Sequence, residues 1–501
     1  MTTVPQALQI KTLPTVSNMK VETSILDPTT ITENGCRFVL ERKGILDTGS
    51  CIQLGVVTNT ATRAWGNGAA FMPLRTGIHA CIKSATLRIG SQIIAQSDNY
   101  NQYATMTRQF KTLEERQFKD RATKLTNDGL EPNNAGTGLY QPCDAIWASA
   151  TSGSTHPQTK LTAEENTTPL GVIKLSELFP MARSLQLPLF AIHQPVVIEI
   201  TWEKQGNAIG EVGKLCLFDP NHVPTDFGAK VALTQVKFLA DYLTYSNDVM
   251  NEVSSQVMSD NGLTVPYDDL VLTTTTIPAA GVGTQIVSRD IGMSNMEVKS
   301  LMWADKRNIS ATQPLISGLM GAYYSSATYL PTSYNVRVND RNIYNRDVDR
   351  ESQQQNQLAQ VMGVDMSVSR CEYSWDENVS KGGAETIGTA GLITNHRIAV
   401  ADLNGVPCRQ TVGAAISAVG GNGLQFEGMQ HYCGIDLTTD PSTGAGTRVG
   451  QKPISLTREL RRVDNGAGTT YGNDVWGRNT FIWGKYGRVM AIRDGQVNTT
   501  R

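Results

Sequence analysis

The chain has 501 residues, with 44 Lys and Arg against 46 Asp and Glu and a formal net charge of −2. That length exceeds one ordinary hydrophobic core and leaves room for two domains of about 200–250 residues each. The near-neutral balance argues against nucleic acid as the principal partner, because phosphate binding calls for a surplus or a stripe of Lys and Arg.

The opening MTTVPQALQIKTLPTV has no charged segment ahead of an apolar run, so no secretory signal peptide is expected. Residues 1–30, rich in Thr, Ser, Val and Pro, read as an extended arm. Short β-branched and aromatic runs bounded by turn formers then predict strands: CRFVLE (36–41), CIQLGVV (51–57) and ATLRIG (85–90). KTLEERQFKDRATKL (111–125) predicts a polar helix, and residues 126–170, rich in Gly, Ser, Thr and Asn, a long loop insertion. LSELFPMARS (175–184) predicts a short helix interrupted at Pro180. In PVVIEITW (195–202), Val196, Ile198 and Ile200 fall on one face and Val197, Glu199 and Thr201 on the other, which suits a two-sheet sandwich. VKFLADYL (236–243) ends the first half, and 246–265 reads as a linker.

Strands resume at LVLTTTTI (270–277) and YNVRV (334–338). DRESQQQNQLAQVMG (349–363) predicts a second polar helix, stopped at Gly363, and 372–424 a second insertion. KPISLT (452–457), TFIWGKY (480–486) and RVMAIRDGQV (488–497) complete the strands. Long helices never alternate with them, which excludes a βαβ organisation. No window approaches 18 consecutive apolar residues, so no membrane-spanning helix is expected.

The pattern occurs twice. TLRIGSQII (86–94) and NVRVNDRNIY (335–344) share a polar–aliphatic–Arg–aliphatic phrase and a turn, with Arg88 and Arg337 249 residues apart. Each precedes one of the polar helices, and a proline introduces PVVIEIT in the first half and PISLT in the second. Similarity in the same order at similar offsets implies two copies of one β-domain.

Chemical motifs are weak by comparison. The eight cysteines form no CxxC pair and read as small buried hydrophobes in a reducing compartment. The sequons at Asn166, Asn308, Asn378 and Asn498 read as chance. His431, Cys433 and Asp436 crowd into HYCGID, but in a strand His431 and Cys433 share a face while Asp436 points away. Neighbours two apart on a strand stand about 6.5–7 Å apart, a poor geometry for a Cys–His pair. The other histidines, His79, His156, His193, His222 and His396, show no ligand spacing. AGVGT (280–284) and GAGTRVG (444–450) lack the lysine and hydroxyl of a phosphate loop and read as turns. Asp268/Asp269 and Glu114/Glu115 read as solvated surface. No catalytic, cofactor-binding or metal site is expected, and no cofactor.

Three phrases resemble one protein family. LQLPLFAIHQPVVIEITW (185–202) after LFPMAR, HYCGIDL before a Gly-rich turn and KPISLT, and the closing GRVMAIRDGQVNTT (487–500) resemble double jelly-roll major capsid proteins of virophages, polinton-like viruses and large eukaryotic DNA viruses. The resemblance implies an all-β fold of two tandem jelly-roll β-sandwiches with short helices and long loop insertions. The expected parts are an arm (1–30), a first roll (31–245), a linker (246–265) and a second roll (266–501). It implies a major capsid protein, not an enzyme, that assembles inside the host cell as a pseudo-hexagonal homotrimer and becomes part of the virion shell. The implied partners are neighbouring capsomers and penton and minor capsid proteins, with no small-molecule substrate. Contact with an internal membrane or genome is expected to be weak, since the arm carries Lys11 and Lys20 but no basic block. The alternative reading is a carbohydrate-binding or carbohydrate-active β-sandwich, which calls for aromatic platforms and facing carboxylates; aromatics make up only 7% of the chain.

Overall fold

The computed structural model describes residues 19–58 (without 33), 69–73, 77–108, 143–148, 170–203 (without 184), 231–278 (without 261), 283–307, 330–363, 432–462 (without 441–443) and 478–500. The first half supplies strands β1 (Lys20–Leu26), β2 (Thr30–Ile31), β3 (Gly35–Val39), β4 (Ile45–Leu46), β5 (Cys51–Thr58), β6 (Ala69–Pro73), β7 (Ile82–Ile89), β8 (Gln92–Ser97), β9 (Cys143–Ala148), β10 (Leu170–Lys174), β11 (Val196–Trp202) and β12 (Val231–Thr244). The second half supplies β13 (Leu263–Ile277), β14 (Gly283–Gly292), β15 (Glu297–Arg307), β16 (Leu330–Val338), β17 (Arg341–Asn342), β18 (Tyr432–Asp436), β19 (Thr438–Asp440), β20 (Ala445–Arg448), β21 (Ile454–Arg462), β22 (Arg478–Arg493) and β23 (Gln496–Thr500). The helices are α1 (Tyr100–Arg108), α2 (Leu175–Leu178), α3 (Asn247–Val257) and α4 (Glu351–Met362).

The two halves share one topology. In the first, one sheet runs β1-β12-β5-β10 and the other β2-β3-β11-β7-β8; in the second the orders are β13-β22-β15, with β18 also on β15, and β14-β21-β16-β17. Setting the short accessory strands aside, each half has eight principal strands ordered 1-8-3-6 and 2-7-4-5. That is the jelly-roll arrangement, in which every long connection crosses between sheets. All paired strands are antiparallel, as hairpin and Greek-key connections require.

The repeat read from the sequence holds at the level of hydrogen-bond register. Arg88 pairs with Val197 of β11 and Arg337 with Ser455 of β21, so Pro195 and Pro453 stand at equivalent places immediately before their strands. The two-residue turn of the β16–β17 hairpin is Asn339-Asp340, both with positive φ (50° and 65°), and Gly90 opens the β7–β8 turn at φ 59°. Such turns match the twist of paired strands. Asp494-Gly495 (φ 50° and 74°) makes the same kind of turn between β22 and β23. Gly363, left-handed at φ 67°, ends α4 as its sequence predicts.

Alternation builds the cores. Ile198 (0% exposed) and Ile200 (2%) of β11 share a core with Phe38 of the neighbouring β3 and Phe238 of the opposite sheet, whose rings lie 5.8 Å apart. In the second half Trp303 meets Tyr334 edge-on at 4.9 Å among Leu301, Val336, Leu456 and Ile482. Each such side chain contributes about 1.5–3 kcal/mol on burial.

Several expectations change. Residues 20–26, assigned to the arm, form β1 and pair along their length with β12. β13 opens at Leu263, inside the expected linker, after α3. Residues 143–148, expected in a structureless insertion, form β9 against β6. TFIWGKY and RVMAIR are one continuous strand, β22, because Gly484 and Gly487 keep extended pairing with β13. The 175–184 helix breaks at Phe179-Pro180 into α2 and a short 3₁₀ turn, as Pro180 dictates. The predicted helix 111–125 and the insertion 372–424 lie outside the described residues.

Candidate functional site: the strand at 432–436 and the seam between the rolls

Within HYCGID, residues Tyr432–Asp436 form a strand. β18 pairs with β15 from Ala304↔Tyr432 to Ser300↔Asp436. Cys433 and Ile435 face the second core, whereas Tyr432 packs on the opposite face with Leu358 of α4 and Trp483. Gly434 allows that helix to approach: a β-carbon there would lie 3.2 Å from Val361 and 3.3 Å from Leu358. Burial pushes the Cys433 thiol well above its usual range, and Asp305 nearby adds to the shift. Cys433 is therefore a thiol rather than a nucleophilic thiolate. Asp436 turns away and accepts the Thr438 backbone N–H at 3.0 Å. His431 lies outside the described residues. Cys36 and Cys81 are likewise buried free thiols pushed up to about 12 by desolvation, while Cys51 is half-buried.

A charged cluster absent from the sequence reading sits inside the second roll. Asp305 (0% exposed) on β15 accepts 2.8 Å hydrogen bonds from Arg458 Nη1 through both carboxylate oxygens. Arg458 Nη2 donates to Thr480 Oγ1 at 2.9 Å, and Thr480 donates to Asp305. The ion pair crosses from one sheet to the other. Its signal was present in the alternation: Leu301-Trp303-Asp305 and Ile454-Leu456-Arg458-Leu460 each place one charge in a row of inward apolar residues.

The seam between the rolls is built on a sheet edge. β8 is the outer strand of its sheet, and the long strands β13 and β22 overhang their own core to meet it. Arg488 Nη1 donates to Ile94 O at 2.8 Å, and Tyr267 Oη donates to the same carbonyl at 2.8 Å. Arg488 Nη2 reaches Ile93 O at 3.3 Å and Thr499 Oγ1 at 2.8 Å. Asp269 Oδ2 accepts from Arg488 at 2.9 Å and from Tyr486 Oη at 3.3 Å. These contacts satisfy an open β-edge that would otherwise template pairing with another chain. Asp269 is only 2% exposed, which corrects its reading as solvated surface: β13 turns it inward at the overhang. Burial raises its pKa against the opposing pull of Arg488. Asp268, on the other face, forms ion pairs with Lys299 at 2.6 Å and Lys485 at 2.9 Å, and these hold its pKa down despite partial burial.

The C-terminal hairpin closes the seam. His193 N–H donates to Gly495 O at 2.8 Å, and the Val497 N–H to Gln194 Oε1 at 3.2 Å. Gln92 bonds both the Asn498 side chain and the Thr499 N–H. The segment AIHQP is thus a clasp on the last hairpin. Val265, Tyr267, Met490, Ile492 and Val497 of the second half belong to the first half's core cluster. α1 adds Tyr103 and Met106 to a cluster with Leu270, Met302, Tyr432 and Trp483 on the outer face of the second roll.

Among the described residues no three His, Cys, Asp or Glu side chains gather as a metal site, and no helix is long and apolar enough to cross a membrane. No protein-family model matches the sequence, and no curated protein matches it. Solved structures do. PBCV-1 VP54, fitted into a reconstruction of the virophage Sputnik, superposes with a TM-score of 0.54 at 12% identity over 97% of both chains. A Sputnik virophage chain superposes with a TM-score of 0.54 at 10% identity, covering 100% of this chain and 92% of its own. The PBCV-1 virus capsid gives 0.51 at 12% identity over 97% of both chains. Taken with the duplicated sheet order, these likenesses establish that the chain has the double jelly-roll fold of those virus capsid structures.

Proposed function

We propose that this chain is a major capsid protein that assembles as a pseudo-hexagonal homotrimer and, through contacts between capsomers, forms an icosahedral shell. The observation that carries this is the pair of like-built jelly rolls fused edge to edge in one chain, in a fold shared along 97% of its length with the PBCV-1 virus capsid. Three such chains would place six similar rolls around one axis. The units of this reading are a first roll from β1 to β12 and a second roll from β13 to the C-terminal hairpin, joined by the connector that carries α3. The buried Cys433 thiol and the fully bonded Asp305–Arg458 pair support a structural rather than an enzymatic role. Penton and minor capsid proteins are the further partners of such a shell, and the virion is its location. No observation favours the carbohydrate reading.

Light scattering on the purified full-length protein tests the proposal. A mass three times that of the 54.5 kDa chain, with hexagonal outlines in negative stain, is expected. A stable monomer at all concentrations would overturn it.

A further inference from the structure

Three excursions from the strands of the first roll meet at a buried polar cluster. A 3₁₀ turn (Gly77–Cys81) leads into β7, α1 follows β8, and α2 follows β10. His79 of the turn is 1% exposed, and so is Tyr100, the first residue of α1. His79 Nδ1 lies 2.5 Å from Tyr100 Oη. On the other side of the ring, Nε2 faces Glu177 Oε2 of α2 at 3.7 Å, and the Glu177 side chain keeps 22% exposure. Next to Tyr100, Asn101 Nδ2 donates to the buried Glu203 Oε2 at 2.6 Å. The turn is seated closely, since a β-carbon on Gly171 of β10 would lie 2.7 Å from Ile78.

Both ring nitrogens of His79 therefore face an oxygen. A neutral imidazole has one N–H and can donate to only one of them, whereas the imidazolium donates to both. The Glu177 carboxylate, still in touch with solvent, supplies the counter-charge that a buried imidazolium needs. The other titratable groups on the packed elements are of two kinds. Lys174 of β10 and Arg183 after α2 are exposed, and Lys83 of β7 is half-buried. Glu203 is bonded to Asn101, and burial pushes the Cys81 thiol up to about 12 and the Tyr103 phenol above its usual value, so both stay neutral. β6, which also borders the turn, carries no titratable residue.

We propose that His79 is a proton-operated clamp on α1. When protonated, the ring donates from Nδ1 to Tyr100 and from Nε2 toward Glu177, and so ties α1 and α2 to the turn ahead of β7. When neutral, it keeps one donor and the charge opposite Glu177 is gone. α1 carries Tyr103 and Met106 onto Trp483 and Leu270 of the second roll, so the state of the clamp reaches the contact between the rolls. The clamp needs an imidazolium, so its contribution is present below the ordinary histidine value of about 6.5 and is lost as pH rises above it. This inference does not depend on the capsid reading.

Thermal unfolding of the full-length protein at about pH 5.5 and about pH 8.5 tests it, the two values bracketing histidine titration. His79→Gln should lower the melting temperature by roughly 2–4 °C at the lower pH and by less than half of that at the higher one. In a Glu177→Gln background the effect of His79→Gln should be the same at both values. A His79→Gln effect independent of pH, or one that grows with pH, overturns the clamp, as does an unchanged pH dependence in the Glu177→Gln background. Hydrogen exchange of the wild-type chain gives a reading that needs no variant. After correction for intrinsic rates, α1 amides should lose about threefold or more of their protection relative to β11 between the lower and the higher pH. Equal relative protection at both values overturns the proposal.

Discussion

At the scale of single residues, the second roll's core is held by an ion pair whose value depends on keeping both members. Removing one partner of a buried pair leaves an unpaired charge and costs about 3–5 kcal/mol, whereas replacing both with apolar groups is often neutral. Arg458→Met should therefore lower the unfolding free energy by about 3–5 kcal/mol, and Asp305→Leu with Arg458→Met by clearly less. Urea unfolding checks this; simple additivity of the two substitutions would show that the pair is not coupled. Cys433 offers the opposite lesson. Its neighbours in sequence suggest reactivity, but the strand period separates it from Asp436 and the core protonates it.

At the scale of elements, hairpins carry the registration of the fold. Gly495 needs both a left-handed backbone and space, since a β-carbon there would come within 2.4 Å of the His193 ring. Gly363 has a similar φ of 67° but nothing within 4 Å. Left-handed strain alone costs about 1–3 kcal/mol. Gly495→Ala should thus lower the melting temperature by roughly 2–4 °C, and Gly363→Ala by distinctly less. Equal shifts for the two would mean that the clasp on His193 contributes nothing. The recurring Arg-aliphatic-turn phrase was legible because a two-residue turn fixes its register locally. The single long β22 was not, because Gly487 separates TFIWGKY from RVMAIR until β13 and β15 are there to pair with it.

For the whole molecule, the shared core predicts behaviour that two independent beads would not show. Val265, Met490 and Ile492 lie in the first roll's cluster, so the first roll does not complete its core without the second. Heat should unfold the described fold in a single cooperative transition, and Arg488→Leu should split or broaden it by opening the β8 edge. Calorimetry distinguishes these; two resolved transitions in the wild-type chain would show that the seam does not couple the rolls.

The sequence by itself determined what is local or periodic: most of the strands, the turns, the break at Pro180, the cap at Gly363 and the duplication of one β-domain. These follow from backbone sterics and from alternation every second residue, which act within a few positions. Only the tertiary structure decided which edges meet, that Asp269 is buried, that β1 belongs to a sheet and that Asp305 finds Arg458 153 residues away. Such pairings depend on which strands are brought side by side. Loop closure costs only slowly more with distance, so nothing in the intervening chain marks the partner.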